Sequence, residues 1–180
     1  MTSLAAVVLE GLDNAWDPLP ARLAGLTEHE YAWEPVPGCW SVRAPGDGGA
    51  GAVAWAADWA DPDPVPAPVT TIAWRCWHVA VDCLDSYSAR LFGATGTGLT
   101  RTAWVGTWAE AGPLLDASWS VFRAGVAAAD DAALDRPLGS AWGPYATASL
   151  LQLVVHAQRE IVHHGAEMAL LRDLYGAGLR

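Results

Sequence analysis

The stretch that decides the fold is LLQLVVHAQREIVHHGAEMALLRDLY, residues 150–175. Its apolar residues recur at the spacing of three and four residues that is typical of an amphipathic helix. No proline interrupts this pattern, which is the longest of its kind in the chain. The sequence therefore predicts a long helix over residues 148–174, the last of four.

Polar residues are distributed unevenly on this predicted helix. At about 100° per residue, His164 lies on the apolar face, Glu160 lies one turn earlier at its edge, and His163 points towards solvent. An inward carboxylate and imidazole four residues apart converge on one point, and a buried carboxylate needs a compensating partner. A divalent metal ion is one such partner, since imidazole and carboxylate together suit Zn, Fe, Ni or Mn. A hydrogen-bonded polar pair, with Arg75 or Arg159 as a further partner, is the alternative.

A metal site of this kind needs a third ligand from another helix. The histidines outside the last helix are His29 and His78, and His78 is better placed because it lies in a predicted helix. Periodicity nevertheless places His78 beside the apolar stripe of its helix rather than in the centre. His156, one turn before Glu160, is a further candidate to bind the metal or to orient a ligand, although it points nearer to solvent.

Three further helices are predicted upstream. The first covers residues 3–25 and is broken at Pro18 and Pro20. The second covers residues 71–93, is capped by Thr70 or Thr71, and ends at Gly93. The third covers residues 104–129 and has a defect at Pro113. Residues 26–68 hold most of the prolines and predict a long loop, of a kind that is usually functional or mobile. Strand alternation of useful length is missing from the sequence. The chain is therefore predicted to be all-α, an antiparallel four-helix bundle with a long loop between helices one and two.

Composition and charge narrow the classes of protein. The 180 residues, 52% of them hydrophobic, provide one packed core and predict a single domain over residues 1–180. A formal charge of -10, with arginine but no lysine, argues against nucleic acid or an anionic membrane as partner. The absence of a long apolar run or a basic leader predicts a cytoplasmic protein. Arginine without lysine, beside abundant alanine and glycine, indicates a bacterial source with a high-GC genome.

Cysteine and tryptophan usage give two further predictions. Cys39, Cys76 and Cys83 are odd in number, and the last two would lie about 10 Å apart along one helix, too far for a disulfide. They are predicted to be reduced core thiols. Eleven tryptophans exceed what a modest bundle core hides, which predicts a homodimer.

Three segments together resemble a known family. They are LTEHEYAWEPVPGCWSV at 26–42, TIAWRCWHVAVD at 71–82 and HAQREIVHHGAEMALLRDLY at 156–175. These segments are similar to the DinB/YfiT-like superfamily, and the similarity runs over most of the chain. It implies a four-helix bundle that holds a metal, often zinc or nickel, between a histidine of helix two and an H-x-x-x-H pair of the last helix. Here Glu160 occupies the position of the first histidine of that pair. This ligand pattern resembles that of the mycothiol-dependent maleylpyruvate isomerase branch.

The resemblance implies a ligand set and a reaction. Its metal ligands are His78, Glu160 and His164, with an open fourth position. The metal would bind a low-molecular-weight thiol of the mycothiol type and present its thiolate to an electrophilic small molecule, as in a transferase or isomerase. The supporting residues expected around the site are His163 and His156 as acid or base, Asp82, Asp85 and Arg159 beside the ligands, and Tyr31, Trp33 and Trp40 at an apolar substrate mouth.

Two other functions stay open on the sequence alone. A non-catalytic helical bundle that binds a small ligand or a partner protein would keep the same three polar residues as a hydrogen-bonded cluster. A metal-dependent hydrolase would use the same centre to activate water instead of a thiol. Metal-dependent thiol conjugation would exclude the non-catalytic bundle. Ester or amide hydrolysis without added thiol would indicate the hydrolase.

Overall fold

The protein is mostly helical. The structure, a computed structural model, describes residues 2–46, 54–62, 64–100 and 102–179. Its helices are α1 (Leu4–Trp16), α2 (Pro18–Leu23), α3 (Glu28–Ala32), α4 (Ile72–Trp77), α5 (Ser86–Phe92), α6 (Trp108–Ala127), α7 (Asp131–Leu134) and α8 (Leu150–Gly176). A π-helical segment (His78–Asp85) joins α4 to α5, and a 3-10 turn (Ser140–Tyr145) precedes α8. We refer to α4, the π segment and α5 together as the second long helix.

The first predicted helix divides at its prolines. Helix α1 ends at Trp16, and Pro18 is the first residue of α2. Proline suits the first helical position because its missing N–H would have no partner there. The predicted break is confirmed, and the chain turns into a second short helix at that point.

The segment 26–68, predicted to be a long loop, contains three short elements. Helix α3 begins after Thr27, which forms a capping box with Glu30. Strands β1 (Val42–Arg43) and β2 (Ala56–Ala57) then pair as an antiparallel ribbon. These strands are two residues long, too short for alternation to show in the sequence, and so small a ribbon is consistent with the predicted all-α class. Residues 47–53 and 63 of the predicted loop lie outside the described residues.

The second long helix has the bounds that the sequence predicts. Thr71 caps it by accepting a hydrogen bond from the backbone N–H of Trp74, at 3.2 Å. Gly93 ends it with φ of +63°, the left-handed conformation that favours glycine. The π segment inside it is not predicted by the sequence. Such segments are rare and often lie at functional sites.

Threonine and serine also cap α6 and α8. The side chain of Thr107 accepts from the backbone N–H of Glu110 at 3.3 Å, and α6 runs on through Pro113. Ser149 and Gln152 form a capping box at the start of α8. The third and fourth predicted helices are therefore confirmed, with starts a few residues later than predicted.

The long helices share one core. Helix α1 packs against α6 and α8, and the second long helix packs against α6 and α8. Between α1 and α6, the rings of Trp16 and Trp119 stack with centroids 4.6 Å apart. None of the described helices is both long enough and apolar enough to span a membrane. This packing places one face of α8 against the π segment, where the polar residues of both helices meet.

Candidate metal centre

The three predicted ligands converge on one oxygen atom. Glu160 and His164 lie one turn apart on α8 and are both buried. The Nε2 atom of His164 lies 2.9 Å from Oε2 of Glu160. His78, the first residue of the π segment, places its own Nε2 atom 3.4 Å from the same oxygen. The structure thus brings together the residues that the sequence and the family resemblance select.

The donor atoms fit a divalent metal ion, which would widen the 2.9 Å contact between His164 and Glu160 by roughly a few tenths of an ångström. The three ligand atoms lie within 4.8 Å of one another. A four-coordinate zinc ion with bonds of about 2.0–2.2 Å holds neighbouring ligand atoms roughly 3.3–3.5 Å apart. Two imidazoles and one carboxylate are donors that zinc and nickel accept. His78, Glu160 and His164 are therefore a group that could hold a metal.

The two carboxylate oxygens of Glu160 have different partners. Oε2 faces His78 and His164, whereas Oε1 accepts a hydrogen bond from Nη2 of Arg159 at 2.8 Å and lies 3.3 Å from Nε2 of His156. Hydrogen bonding by His78 and Arg159 outweighs burial and holds the pKa of Glu160 well below its usual range. Glu160 is therefore an ionised candidate ligand, and its second oxygen is held away from the two histidines.

His164 is placed between two carboxylates. Its Nδ1 atom lies 2.7 Å from Oε2 of Glu167, while its Nε2 atom faces Glu160. If Nδ1 donates to Glu167, Nε2 is the nitrogen that remains to face Glu160. A metal ion held by both residues would satisfy Nε2 and Oε2. With a metal bound, Glu167 would be the carboxylate that fixes the tautomer of the histidine ligand.

Glu167 is a site residue that the sequence reasoning missed. Nε of Arg75 lies 2.8 Å from the same Oε2 atom that holds His164, so Arg75 and Glu167 form a half-buried ion pair behind this ligand. The signal available in the sequence was spacing, because Glu167 follows His164 by three residues and so lies on the same helix face. The sequence predicts Arg75 only as a partner of the hydrogen-bonded pair in a site without metal.

His78 has a similar carboxylate behind it. Its Nδ1 atom lies 3.2 Å from Oδ2 of Asp82, at ion-pair distance, although it has no aligned hydrogen bond among the described residues. Burial alone would lower the pKa of His78, but the carboxylates of Asp82 and Glu160 outweigh burial and raise it. Asp85, the other predicted support, accepts instead from the backbone and hydroxyl of Thr97, at 2.9 and 3.1 Å.

The two histidines predicted as acid or base lie on different sides of the ligands. His163 is exposed, and its ring stacks on that of His164 with centroids 4.8 Å apart. His156 is half-buried, and its Nδ1 atom lies 3.2 Å from Oη of Tyr87. His156 therefore connects Glu160 to the second long helix.

The π segment explains how His78 and Tyr87 both reach α8. Nine residues of ideal α-helix turn through roughly 900°, which would place these two side chains on opposite faces. A π-helix has more residues per turn, so each residue advances by less than 100°. His78 contacts Glu160 while Tyr87 contacts His156, and these contacts run in opposite chain directions. The second long helix is therefore antiparallel to α8.

The predicted aromatic residues differ in how they are connected to the candidate ligands. Trp74 stacks on His78 with centroids 5.1 Å apart, and Trp40 packs on Trp74 at 5.7 Å. Trp33 packs on Tyr175 at 5.6 Å. Tyr31 is only 1% exposed and accepts a hydrogen bond from the indole of Trp104. Their part in a substrate mouth stays a prediction, with Trp40 connected to the site through Trp74.

The cysteines are free and buried, as predicted. Cys39, Cys76 and Cys83 form no disulfide, and Sγ of Cys76 lies 3.5 Å from Sδ of Met168. Burial raises the pKa of Cys76 to about 12 and also raises that of Cys83. These thiols are packing residues rather than nucleophiles.

Comparison with known proteins gives a family and a fold. Residues 12–168 match the model of the DinB superfamily. The crystal structure of a conserved protein from Enterococcus faecalis has a TM-score of 0.64 and 16% sequence identity, and the similarity covers 97% of this chain and 98% of that one. At this identity the likeness shows the fold alone. No curated protein matches the sequence.

Proposed function

The chain belongs to the DinB superfamily, and on this premise we propose that it is a metal-dependent enzyme that uses a low-molecular-weight thiol. The proposed reaction is S-transfer to, or isomerisation of, an electrophilic small molecule, with mycothiol or a similar thiol as cosubstrate. The observation that supports it is the convergence of His78 and His164 on one oxygen of Glu160. We also propose that α1, the second long helix, α6 and α8 are the four helices of the predicted antiparallel bundle.

The ligand set suits thiol chemistry. Two neutral imidazoles and one carboxylate leave a divalent metal with a net charge of +1, which still attracts an anionic sulfur. Zinc or nickel bound there would lower the pKa of a thiol that reaches it, so that the thiolate is available at neutral pH. Three protein ligands leave room for that thiol.

The residues around the ligands keep them in place for this role. Arg159 and His156 hold Oε1 of Glu160, so that Oε2 alone is directed at the two histidines. Glu167 holds Nδ1 of His164, and Asp82 lies beside Nδ1 of His78, which leaves both Nε2 atoms facing inwards. Fixing a ligand through its second nitrogen reduces the reorganisation that metal binding requires.

The reactive sulfur has to come from outside the chain. All three cysteines are buried, and burial raises the thiol pKa of Cys76 to about 12. Such a thiol carries almost no thiolate at neutral pH and has no route to an external electrophile. This supports a soluble thiol as cosubstrate over a protein thiol as nucleophile.

His156 and His163 are the candidate groups for moving a proton. His156 contacts Glu160 and Tyr87, whereas His163 lies on the solvent side of His164. Either imidazole could pass a proton between the substrate and water. We favour His156, because it contacts the carboxylate of Glu160 and also lines an open cleft beside Tyr87 and Leu153.

The charge of the chain supports a small-molecule substrate. A formal charge of -10 without lysine disfavours nucleic acid and anionic membranes as partners. A bacterial source and a cytoplasmic location, both predicted from composition, belong to the same proposal.

The test is thiol conjugation by tag-free protein reconstituted with zinc or nickel. With mycothiol and monobromobimane, we expect metal-dependent conjugation that is lost in His164→Ala and retained in Asp173→Asn. Asp173 lies on α8 and pairs with Arg22 at the surface, so it is a matched control. Metal-loaded protein without conjugation contradicts the thiol function, and ester or amide hydrolysis without thiol indicates a hydrolase instead.

A further inference from the structure

A cleft of about 650 Å³ lies between α5, the 3-10 turn and the start of α8. Its size is that of a pocket for a small organic molecule. Its walls are mainly apolar and aromatic, and they include Tyr87, Leu138, Trp142 and Leu153. The cleft is therefore built to take a molecule with an apolar body.

This cleft is connected to the metal centre by direct contacts. Tyr87 and His156 both line it. Oη of Tyr87 lies 3.2 Å from Nδ1 of His156, and Nε2 of His156 lies 3.3 Å from Oε1 of Glu160. A molecule in the cleft that touches His156 is therefore one side chain away from a metal ligand.

The charge of the cleft differs from that of the chain. The chain has a formal charge of -10, yet the described lining residues include Arg90 and no acid. The guanidinium carbon of Arg90 lies 3.4 Å from the ring centroid of Trp142, and Nη2 donates to the carbonyl of Ala141. Stacking holds the guanidinium by its face and leaves its edge for an anionic group.

We propose that this cleft binds an apolar small molecule with one anionic group, and that this molecule is the organic substrate. The aromatic and aliphatic walls take the apolar body, and Arg90 takes a carboxylate or a similar anion. The identification as substrate rests on the proposed function, because it needs a reacting centre on the far side of His156. Binding in the cleft rests on its walls and on Arg90 alone.

The test uses a pair of fluorescent probes that differ in charge. The anionic probe is 1-anilinonaphthalene-8-sulfonate, and N-phenyl-1-naphthylamine is its neutral counterpart. We expect one site for each probe on the folded protein. Arg90→Gln should weaken binding of the anionic probe at least tenfold and leave the neutral probe unchanged, since it removes charge but not apolar surface. Leu153→Trp should weaken both probes because it fills the cleft.

Matched controls guard against a loss of folding. Arg136 is exposed and is not among the residues that line the cleft, so Arg136→Gln should leave both affinities unchanged. Arg90→Lys, which keeps the charge, should recover part of the affinity for the anionic probe. Equal binding of the anionic probe by the parent, Arg90→Gln and Leu153→Trp, with circular dichroism showing folded protein in each, would overturn the proposal.

Failure of this proposal is distinguishable from failure of the proposed function. Protein treated with EDTA should bind both probes as well as metal-loaded protein does, because the cleft needs no metal. If the protein shows metal-dependent conjugation but binds neither probe in the cleft, the proposed cleft ligand is overturned and the proposed function stands. Cleft binding that does not inhibit conjugation overturns the identification as substrate site.

Discussion

Glu160 is the residue on which the candidate site depends. One of its oxygens faces His78 and His164, and the other is held by Arg159 and approached by His156. A carboxylate with its two oxygens so divided would present one atom, in a fixed orientation, to a metal bound by the proposed ligands. The same contacts account for its ionisation despite burial.

Glu167 tests whether the contacts behind the ligands matter. We expect Glu167→Gln to lower metal affinity roughly 10- to 100-fold, because it weakens the partner that fixes Nδ1 of His164. Competition with a chelating dye measures this affinity. Asp173→Asn, a carboxylate-to-amide change on the surface of the same helix, should have no effect. Equal affinities of the parent and both variants would show that Glu167 has no part in positioning the ligand.

The buried thiols give a second test at this scale. Native protein should show almost no reaction with a disulfide reagent such as Ellman's reagent at neutral pH, because all three cysteines are buried and the pKa of Cys76 is raised to about 12. In guanidinium chloride all three should react. Rapid reaction of any cysteine in the native protein would contradict the packing described for it.

At the residue scale, the sequence predicts the ligands better than it predicts their partners. His164 and Glu160 follow from helix periodicity, since both lie towards the apolar face of α8. Periodicity places His78 beside the apolar stripe of the second long helix rather than in its centre, and only the family resemblance selects it as a ligand. Glu167 was missed because its role depends on which nitrogen of His164 faces inwards, and spacing alone does not fix that.

At the scale of elements, the π segment is the feature that joins the site to the cleft. In an unbroken α-helix His78 and Tyr87 would point to opposite faces, and one of them would lose its contact with α8. The wider turn of the segment His78–Asp85 lets both contact α8. Sequence periodicity at 100° per residue contains no sign of such a change in pitch, which is why it was not predicted.

The start of α8 gives the prediction at this scale. Ser149→Ala should lower the free energy of unfolding by about 1 kcal/mol, because the serine side chain accepts from the backbone N–H of Gln152 at 3.3 Å. Urea unfolding measures the change. Ser120 lies exposed inside α6, where alanine suits a helix, so Ser120→Ala should be neutral or slightly stabilising. Equal losses in both variants would argue against a capping role.

Caps explain why the long helices were predicted and the short elements were not. Thr71 and Gly93 are strong local signals, and they set bounds of the second long helix that the structure confirms. Helix α3 and the ribbon of β1 and β2 have few residues each and depend on packing against the core. Elements of this length leave too little periodicity to be recognised.

At the scale of the whole molecule, the tryptophans pack within one chain. Ten of the eleven are buried or half-buried, and Trp59 is the exposed one at 42%. The number of tryptophans is therefore no longer the reason to expect a homodimer. The reason to expect a dimer is instead an exposed apolar stripe on α8. Its residues, Val155, Val162 and Leu170, are all more than half exposed and are spaced seven and eight residues apart.

The predicted homodimer has a direct test. Light scattering should show a species of about twice 19.0 kDa for the parent protein. Val162→Asp should reduce it to the mass of one chain, because it places a charge in the apolar stripe. A parent protein with the mass of one chain at all concentrations contradicts the dimer.

The measurement that tests the central claim most directly is elemental analysis of tag-free protein. We predict about one zinc or nickel ion per chain, a four-coordinate centre with three protein ligands, and its loss in both His164→Ala and Glu160→Ala but not in Asp173→Asn. A parent protein that holds no metal even after reconstitution with zinc and nickel, or metal content unchanged by both ligand substitutions, would contradict the account and favour a non-catalytic helical bundle.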